Sequence, residues 1–172
     1  METIDRTTRP HPLLHGPERA QLESWLEFSR ATLLKKCSGL TVEQLKQRPV
    51  AASTMSLLGI VRHMTFVEQI WFDTRFAGNE TVAYYVTHDD PDAEFNDLDG
   101  ASLDEVVTNF DAACARSREL AEGHDLDETV ARVSNNFSVD LRWIYIHMIE
   151  EYSRHLGHVD LLRELIDGST GY

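Results

Sequence analysis

The sequence predicts an all-α protein, a four-helix bundle with a long crossover between its second and third helices. Four stretches of apolar residues at helical spacing account for most of the 172 residues, while β-like patterning is confined to residues 81–86. A domain has roughly 100–200 residues, so we expect one helical domain over residues 1–172, with residues 1–15 as an extended N-terminal segment.

The first helix is predicted from about residue 17 to residue 37. Pro17 suits the first helical turn, where its missing N–H costs nothing, and Gly39 stands where a left-handed C-terminal cap belongs. The apolar stripe of this helix consists of Leu22, Trp25, Leu26, Leu33 and Leu34. A short helical turn is expected at residues 41–45, where Thr41 and Gln44 have the spacing of a capping box.

The second helix is predicted from near Ser56 to just before Gly78. Its apolar residues recur at helical spacing: Leu57, Leu58, Ile60, Val61, Met64, Val67, Ile70 and Trp71. The third helix is predicted from Ser102 to about Glu122, with a 3.6-residue period through Leu103, Val106, Val107, Phe110, Ala113, Cys114 and Leu120. The fourth and longest is predicted to begin near Asn135, Asn136 and Ser138 and to end at Gly168.

The connection between the second and third helices spans residues 78–101, whereas links in bundles usually take about 2–8 residues. Such a length would let the chain cross the whole bundle, so that the second and third helices run parallel. Its acidic residues lack the spacing of a calcium loop, because Gly100 as the loop glycine would put Phe95 and Val106 at ligand positions. We therefore expect a solvated acidic loop.

Composition and charge restrict the function. The net charge of −13, from 29 acidic and 16 basic residues, argues against a nucleic-acid partner and against an anionic membrane surface. No apolar run approaches the ~18–20 residues of a membrane span, and residues 1–15 lack the apolar core of a signal peptide, so we expect a cytoplasmic protein. The two cysteines, Cys37 and Cys114, are too few for a disulfide framework and are expected to be reduced and packed.

Ionisable residues interrupt the apolar faces of two helices. Alternate steps of three and four along the last helix give Leu141, Ile144, Met148, Glu151, His155, His158, Leu162 and Leu165. Glu151 and His155 lie one turn apart, with about 40° between them around the axis. On the second helix the same stepping gives Ile60, His63, Val67 and Ile70, again with one histidine among apolar residues.

A divalent metal would make the burial of these groups tolerable. Burying a carboxylate and two imidazoles costs several kcal/mol unless each finds a partner. His63, Glu151 and His155 would offer two nitrogen ligands and one oxygen ligand, which suit zinc, nickel or iron, and three protein ligands leave a position open for catalysis. Two alternatives remain: Glu151 and His155 form only an ion pair, and His63 is a core histidine bonded to a backbone carbonyl.

Three segments resemble the DinB-like superfamily of metal-binding four-helix bundles. They are LTVEQL at residues 40–45, SLLGIVRHM at residues 56–64, and the last helix with LRW, HMIEE and RHLGHVD. The likeness covers nearly the whole chain after residue 15 and is closest to a thiol-transferase-like branch. It implies that His63, Glu151 and His155 form the metal triad. Glutamate at residue 151, where many members have histidine, is similar to the mycothiol-dependent maleylpyruvate isomerase group.

The sequence departs from the family pattern after the last ligand. The usual Gly-Gln is Gly157-His158 here, which leaves open whether His158 is a fourth ligand, a partner of a ligand or a substrate contact. The role of His147 is open as well. Arg62 and Arg154 flank the triad and could pair with substrate carboxylates, but surface ion pairs are the expected role. Trp71, Trp143 and Tyr152 are expected to be core residues, and no catalytic residue is assigned.

The resemblance implies a small-molecule enzyme that forms a homodimer. Its expected activity is that of a metal-dependent transferase, with zinc as the favoured metal, which activates mycothiol or bacillithiol for attack on an electrophilic small molecule. Two alternatives stay open at this point. One is a metal-dependent hydrolase that activates water at the same site. The other is a metal-binding or dimerisation protein without catalysis.

Overall fold

The computed structural model describes residues 3–80, 83–90, 92–130 and 138–171. Within these ranges the chain forms six α-helices and no strand, which confirms the all-α prediction. The helices are α1 (Glu18–Cys37), α2 (Val42–Leu45), α3 (Leu57–Glu68), α4 (Ala93–Asn96), α5 (Leu103–Ala121) and α6 (Leu141–Asp167), and a π-helical segment, Gln69–Phe76, continues α3. Among the described helices, none has the length and apolar character that crossing a membrane requires.

Several predicted helix ends are confirmed. Thr41 and Gln44 form the capping box at α2, each side chain bonding the other residue's backbone N–H. The side chains of Ser56 and Ser102 accept N–H bonds at the starts of α3 and α5. Gly39, just after α1, has a φ of +77°, in the left-handed region that favours glycine.

Two predicted starts and the β-like run need correction. Pro17 precedes α1 as its N-cap rather than lying in its first turn. In α6 the N-cap is Asp140, whose carboxylate accepts the Trp143 N–H, so this helix begins later than Ser138 suggested; residues 135 and 136 lie outside the described residues. Of the β-like run, residues 81 and 82 also lie outside them, and residues 83–86 are not a strand.

Side-chain contacts fix the directions of the long helices. Glu18 and Arg142 pair at the starts of α1 and α6, and Lys36 pairs with Asp160 near their ends, so these two helices are parallel. His63 of α3 lies against His155 of α6, whereas Trp71, which follows α3, lies against His147, which comes earlier in α6. Because the contacts run in opposite directions along the two helices, α3 and α6 are antiparallel.

The second and third long helices, α3 and α5, are parallel, as the long crossover predicted. Arg62 early in α3 lines a cavity with Ser102 and Glu105 at the start of α5. Asp73, in the π-helical segment, pairs with Arg116 towards the end of α5. The crossover therefore returns the chain to the end of the bundle at which α3 begins.

The crossover packs against α3 and is not a solvated loop throughout, which corrects the expectation from its charge. Glu94 on α4 is 3% exposed, and Ala93 and Leu98 are buried with it. A Cβ atom on Gly59 would lie 2.7 Å from the Phe95 ring, so glycine is what lets α4 approach α3 this closely. Arg62 also donates a hydrogen bond to the carbonyl of Asp97.

The buried face of α6 differs from the predicted one. Its buried residues are Leu141, Ile144, Tyr145, Met148, Tyr152, Val159 and Leu162. They agree with the predicted seam as far as Met148, where a step of four to Tyr152 replaces the predicted step of three to Glu151. Leu165, expected in the core, is 53% exposed, and Trp25 of α1 is 48% exposed. Glu151 and His158 consequently lie at the edge of the buried face and not at its centre. Cys37 and Cys114 are buried free thiols, as expected.

Candidate metal centre

His63 of α3 meets Glu151 and His155 of α6 at the boundary between the two helices. One nitrogen or oxygen atom from each side chain lies within 4.8 Å of those from the other two. The His63 and His155 rings have centroids 4.6 Å apart, and Glu151 Oε2 lies 3.5 Å from His155 Nε2. The structure thus brings together the three residues that the sequence placed on facing helices.

The donor set and its spacing fit a divalent metal ion. Bonds of about 2.1 Å in a tetrahedral arrangement separate ligand atoms by roughly 3.4 Å. The 3.5 Å between Glu151 Oε2 and His155 Nε2 is close to that separation. The three side chains retain 22%, 16% and 13% of their exposure, for His63, Glu151 and His155 respectively. They are less buried than a central core position implies, so a small molecule can reach the site.

The His155 imidazole is neutral near pH 7. Burial, and then the nearby His63 and His158 imidazoles, lower the pKa of His155 to about 4. A neutral imidazole has the lone pair that a metal ligand needs. Its Nδ1 atom is buried and has no hydrogen-bond partner within the described part of the chain.

Glu94 orients His63 from the crossover. Its Oε1 atom lies 3.1 Å from His63 Nδ1, which places the Nδ1 proton towards the carboxylate and leaves Nε2 free to bind a metal. Carboxylates commonly support metal-binding histidines in this way and raise their basicity. Glu94 was not among the predicted site residues, because nothing in the sequence pattern separates it from the other acids of the connection.

Glu151 also contacts a histidine on its other side. Its Oε1 atom lies 3.5 Å from His147 Nε2, so that His147, Glu150 and Glu151 form a second group of converging donors. Glu150, however, is exposed and engaged by Arg154. The first group is the better candidate, because its members come from two helices and converge at a partly buried position.

His158 is a neighbour of the triad. Its ring packs edge-on against His155, with centroids 5.5 Å apart. Its donor atoms are not among those of the converging groups found in the described residues. Of the three roles that the sequence left open for His158, this position favours that of a partner of a ligand, His155.

The residues flanking the triad differ from expectation in two cases. Arg62 is 6% exposed and lies 4.2 Å from the Tyr85 ring centroid, so it is not the surface ion pair that was expected. Trp143 is 37% exposed and so is not a core residue, whereas Trp71 and Tyr152 are buried as expected. Arg154 pairs with Glu150 on the surface, in line with the prediction.

A second ionic cluster, centred on Glu68, lies deeper between the helices. Arg30 donates to both Glu68 oxygens, at 2.7 and 2.5 Å. Tyr152 donates to Oε1 at 2.8 Å and Ser117 donates to Oε2 at 2.6 Å. Burial opposes the charge of Arg30, but the Glu68 carboxylate raises the pKa of the guanidinium well above its usual range. The sequence analysis did not identify this cluster.

Comparison with known proteins agrees with the resemblance seen in the sequence. Residues 21–168 match the family model described as mycothiol S-transferase, a family of the DinB-like superfamily. The match includes His63, Glu151 and His155 and nearly all of the long helices. A search of curated proteins gives no match. Because the family model covers most of the sequence, the chain belongs to the mycothiol S-transferase family.

Proposed function

We propose that this protein is a metal-dependent S-transferase that uses mycothiol to attack an electrophilic small molecule. The main observation is the convergence of His63, Glu151 and His155 at a partly exposed position, in a chain of the mycothiol S-transferase family. Two imidazoles and one carboxylate suit zinc, with nickel and iron as further candidates. The three residues would hold the metal and leave one side for a ligand.

The chemistry of the site follows from its charges. A divalent cation bound by one carboxylate and two neutral imidazoles would leave a net charge near +1 and favour the thiolate form of a thiol that reaches it. The chain's own contribution is to hold the donor atoms in place. Glu94 fixes His63 from the crossover, and His155 stays neutral because of its partial burial.

A thiol nucleophile must be supplied from outside the protein. Cys37 and Cys114 are the two cysteines of the chain, and both are buried. Burial raises the pKa of Cys37 to about 12, and it raises the pKa of Cys114 still further. Neither thiol is therefore a competent nucleophile near pH 7, which supports a thiol cosubstrate.

With an electron-poor alkene as the acceptor, the proposed reaction is a conjugate addition. The thiol sulfur forms a bond to one alkene carbon while the π electron pair moves to the neighbouring carbon. That carbon then takes up a proton, which balances the proton that the thiol gave up. The product is a thioether, and no oxidant or reductant is needed.

The test begins with the metal content of the purified protein, measured by inductively coupled plasma mass spectrometry. We expect about one divalent ion per chain, and we expect mycothiol to disappear with an electrophile at a rate that chelation abolishes and added zinc restores. Bacillithiol and glutathione serve as comparison thiols. Metal-dependent ester or amide hydrolysis without any thiol adduct would instead identify a hydrolase. A metal-loaded protein without either activity would be a binding protein.

The homodimer implied by the family resemblance stays a prediction. Sedimentation velocity at several protein concentrations measures it directly, with and without metal. A dimer that persists on dilution supports the expectation, whereas a monomer at all concentrations contradicts it.

A further inference from the structure

The boundary between α3 and α6 continues beyond the triad as a row of aromatic rings. Trp71 of the π-helical segment lies against His147 and Trp143 of α6, with ring centroids 4.4 and 5.2 Å apart. His147 and Trp143 are stacked, with 4.9 Å between centroids and 18° between planes. The guanidinium of Arg75 lies 4.2 Å from the Trp71 centroid. We call Trp71, Arg75, Trp143 and His147 the aromatic strip.

The strip begins where the triad ends. His147 Nε2 lies 3.5 Å from Glu151 Oε1, and the other oxygen of Glu151 faces His155. From His155 to His147 the helix advances a little more than two turns, roughly 12 Å. A molecule of about that length could have one end at the triad and the other on the strip.

Arg75 brings a positive charge to the strip. Among the described residues no acidic side chain forms an ion pair with Arg75, and its charge rests on the face of Trp71. By contrast, Arg154, which lies between Glu151 and His155 in the sequence, is occupied by Glu150. In a chain with a net charge of −13, an unpaired and partly buried guanidinium is a candidate anion-binding group.

The backbone at this position is also unusual. The segment Gln69–Phe76 is π-helical, and its last bond runs from the Ala77 N–H to the Phe72 carbonyl at 3.0 Å. π-Helical turns are rare and occur frequently at functional sites. Here the segment carries both Trp71 and Arg75, directly after the helix that carries His63.

We propose that the aromatic strip binds the acceptor substrate, a flat unsaturated or aromatic electrophile that carries an anionic group. The ring system stacks on Trp143, which is 37% exposed, and the anionic group pairs with Arg75. The electrophilic end then points along α6 towards the triad. This inference rests on the proposed function for its biological meaning, but the binding itself can be measured without turnover.

The experiment compares 2-naphthoate with its uncharged amide, 2-naphthamide, by isothermal titration calorimetry. We expect the carboxylate to bind about tenfold more tightly than the amide, which corresponds to about 1.4 kcal/mol, since only the carboxylate can form a charge-assisted pair with Arg75. Arg75→Gln should remove that preference while changing amide binding little. Trp143→Ala should weaken both probes. Arg154→Gln is the matched control, because it removes a nearby positive charge that is already paired.

Further variants separate this inference from the metal hypothesis. In His155→Ala, naphthoate binding should persist if the carboxylate sits on Arg75. Binding that is lost in His155→Ala but kept in Arg75→Gln would place the carboxylate at the triad and overturn the inference. Equal losses in Arg75→Gln and Arg154→Gln would show a general charge effect and also overturn it. A strip that binds the probe in a protein without transferase activity would support the inference and reject the proposed function. Circular dichroism verifies that each variant is folded.

Discussion

The two ionic clusters of this bundle both include residues of α3 and α6, but they differ in how fully their polar atoms are hydrogen-bonded. In the Glu68 cluster each carboxylate oxygen receives two hydrogen bonds of 2.5–2.8 Å, and Glu68 has no exposure. In the candidate metal centre the Glu151 oxygens approach the histidine nitrogens no closer than 3.5 Å, and His155 Nδ1 has no partner within the described residues. The first cluster connects the helices through hydrogen bonds, whereas the second has nitrogen and oxygen atoms that remain available to bind a metal.

This difference gives a criterion for separating structural charges from functional ones. A buried charge is retained only when partners offset its desolvation, and the Glu68 cluster provides all of these partners from the protein. A partly exposed cluster with unengaged donor atoms can take its missing partner from solution. Substitutions in the two clusters should therefore affect different properties, folding stability in the first and metal binding in the second.

The largest effect is expected from Glu68→Gln. The substitution removes the buried counter-charge of Arg30 and leaves this guanidinium only the partly buried Glu27, 2.7 Å away. Removing one partner of a buried ion pair typically costs about 3–5 kcal/mol. We expect the free energy of unfolding, measured by urea denaturation, to fall by that amount. The control is Glu150→Gln, which removes an exposed ion pair with Arg154 and should change stability by less than about 1 kcal/mol. Similar losses of unfolding free energy in both variants would show that the buried Glu68 pair contributes no more to stability than an exposed ion pair.

His155→Ala should act mainly through the metal. At a free zinc concentration of one hundred times its dissociation constant, the wild-type protein should gain about 2.7 kcal/mol of stability, and the variant should gain none. The measurement is urea denaturation with and without zinc, together with the metal content of the purified variant. Unchanged metal content in His155→Ala would falsify the ligand assignment.

Glu94→Gln should weaken metal binding without abolishing it. Loss of the carboxylate that orients a histidine ligand typically reduces metal affinity about 10–100-fold. Competition with a chelator of known affinity measures the change. The matched control is Asp92→Asn, an exposed acid two residues away in the same connection, which should leave the affinity unchanged. Equal effects of both substitutions would point to the overall negative charge of the crossover rather than to the contact with His63.

A further effect is a pH dependence of the metal-free protein. His155 has a pKa of about 4 in the folded state, below its ordinary value near 6.5. Folding therefore favours the neutral ring, and this contribution is fully present above pH 6.5 and is lost as the pH falls towards 4. We expect His155→Ala to lose less stability than the wild type over that interval, in urea denaturation at several pH values. Parallel curves would contradict this expectation.

The sequence predicted the helices and the candidate triad because both depend on local periodicity. The spacing of Glu151 and His155 fixes a shared face, and the apolar pattern around His63 places it towards the bundle. The buried face of α6 was wrong only in its middle part, since after Met148 a 3.6-residue helix allows a step of three to Glu151 or of four to Tyr152, and only packing against the other helices selects one of them.

The missed residues depend on contacts between distant parts of the chain. Glu94 reaches His63 because Phe95 packs on Gly59, and no local pattern encodes that contact. The Arg30 and Glu68 pair left a weak signal, because each interrupts a row of core residues: Leu26, Leu33 and Cys37 in α1, and Leu57, Val61 and Met64 in α3. Their opposite charges indicate a pair, but their meeting requires the antiparallel arrangement of the two helices.

The π-helical turn gives the α3–α6 boundary room for one residue that an α-helix would not hold. A turn closed by i→i+5 bonds is wider than one closed by i→i+4 bonds, so the segment takes up an extra residue while the chain beyond it keeps nearly the direction of an uninterrupted α-helix. A chain shorter by one residue within residues 69–76 would therefore return to α-helical bonding with His63 still in place. The turn that carries Trp71 and Arg75 would lose one position while the candidate metal centre stayed unchanged, so the two ends of the boundary are separable by length as well as by substitution.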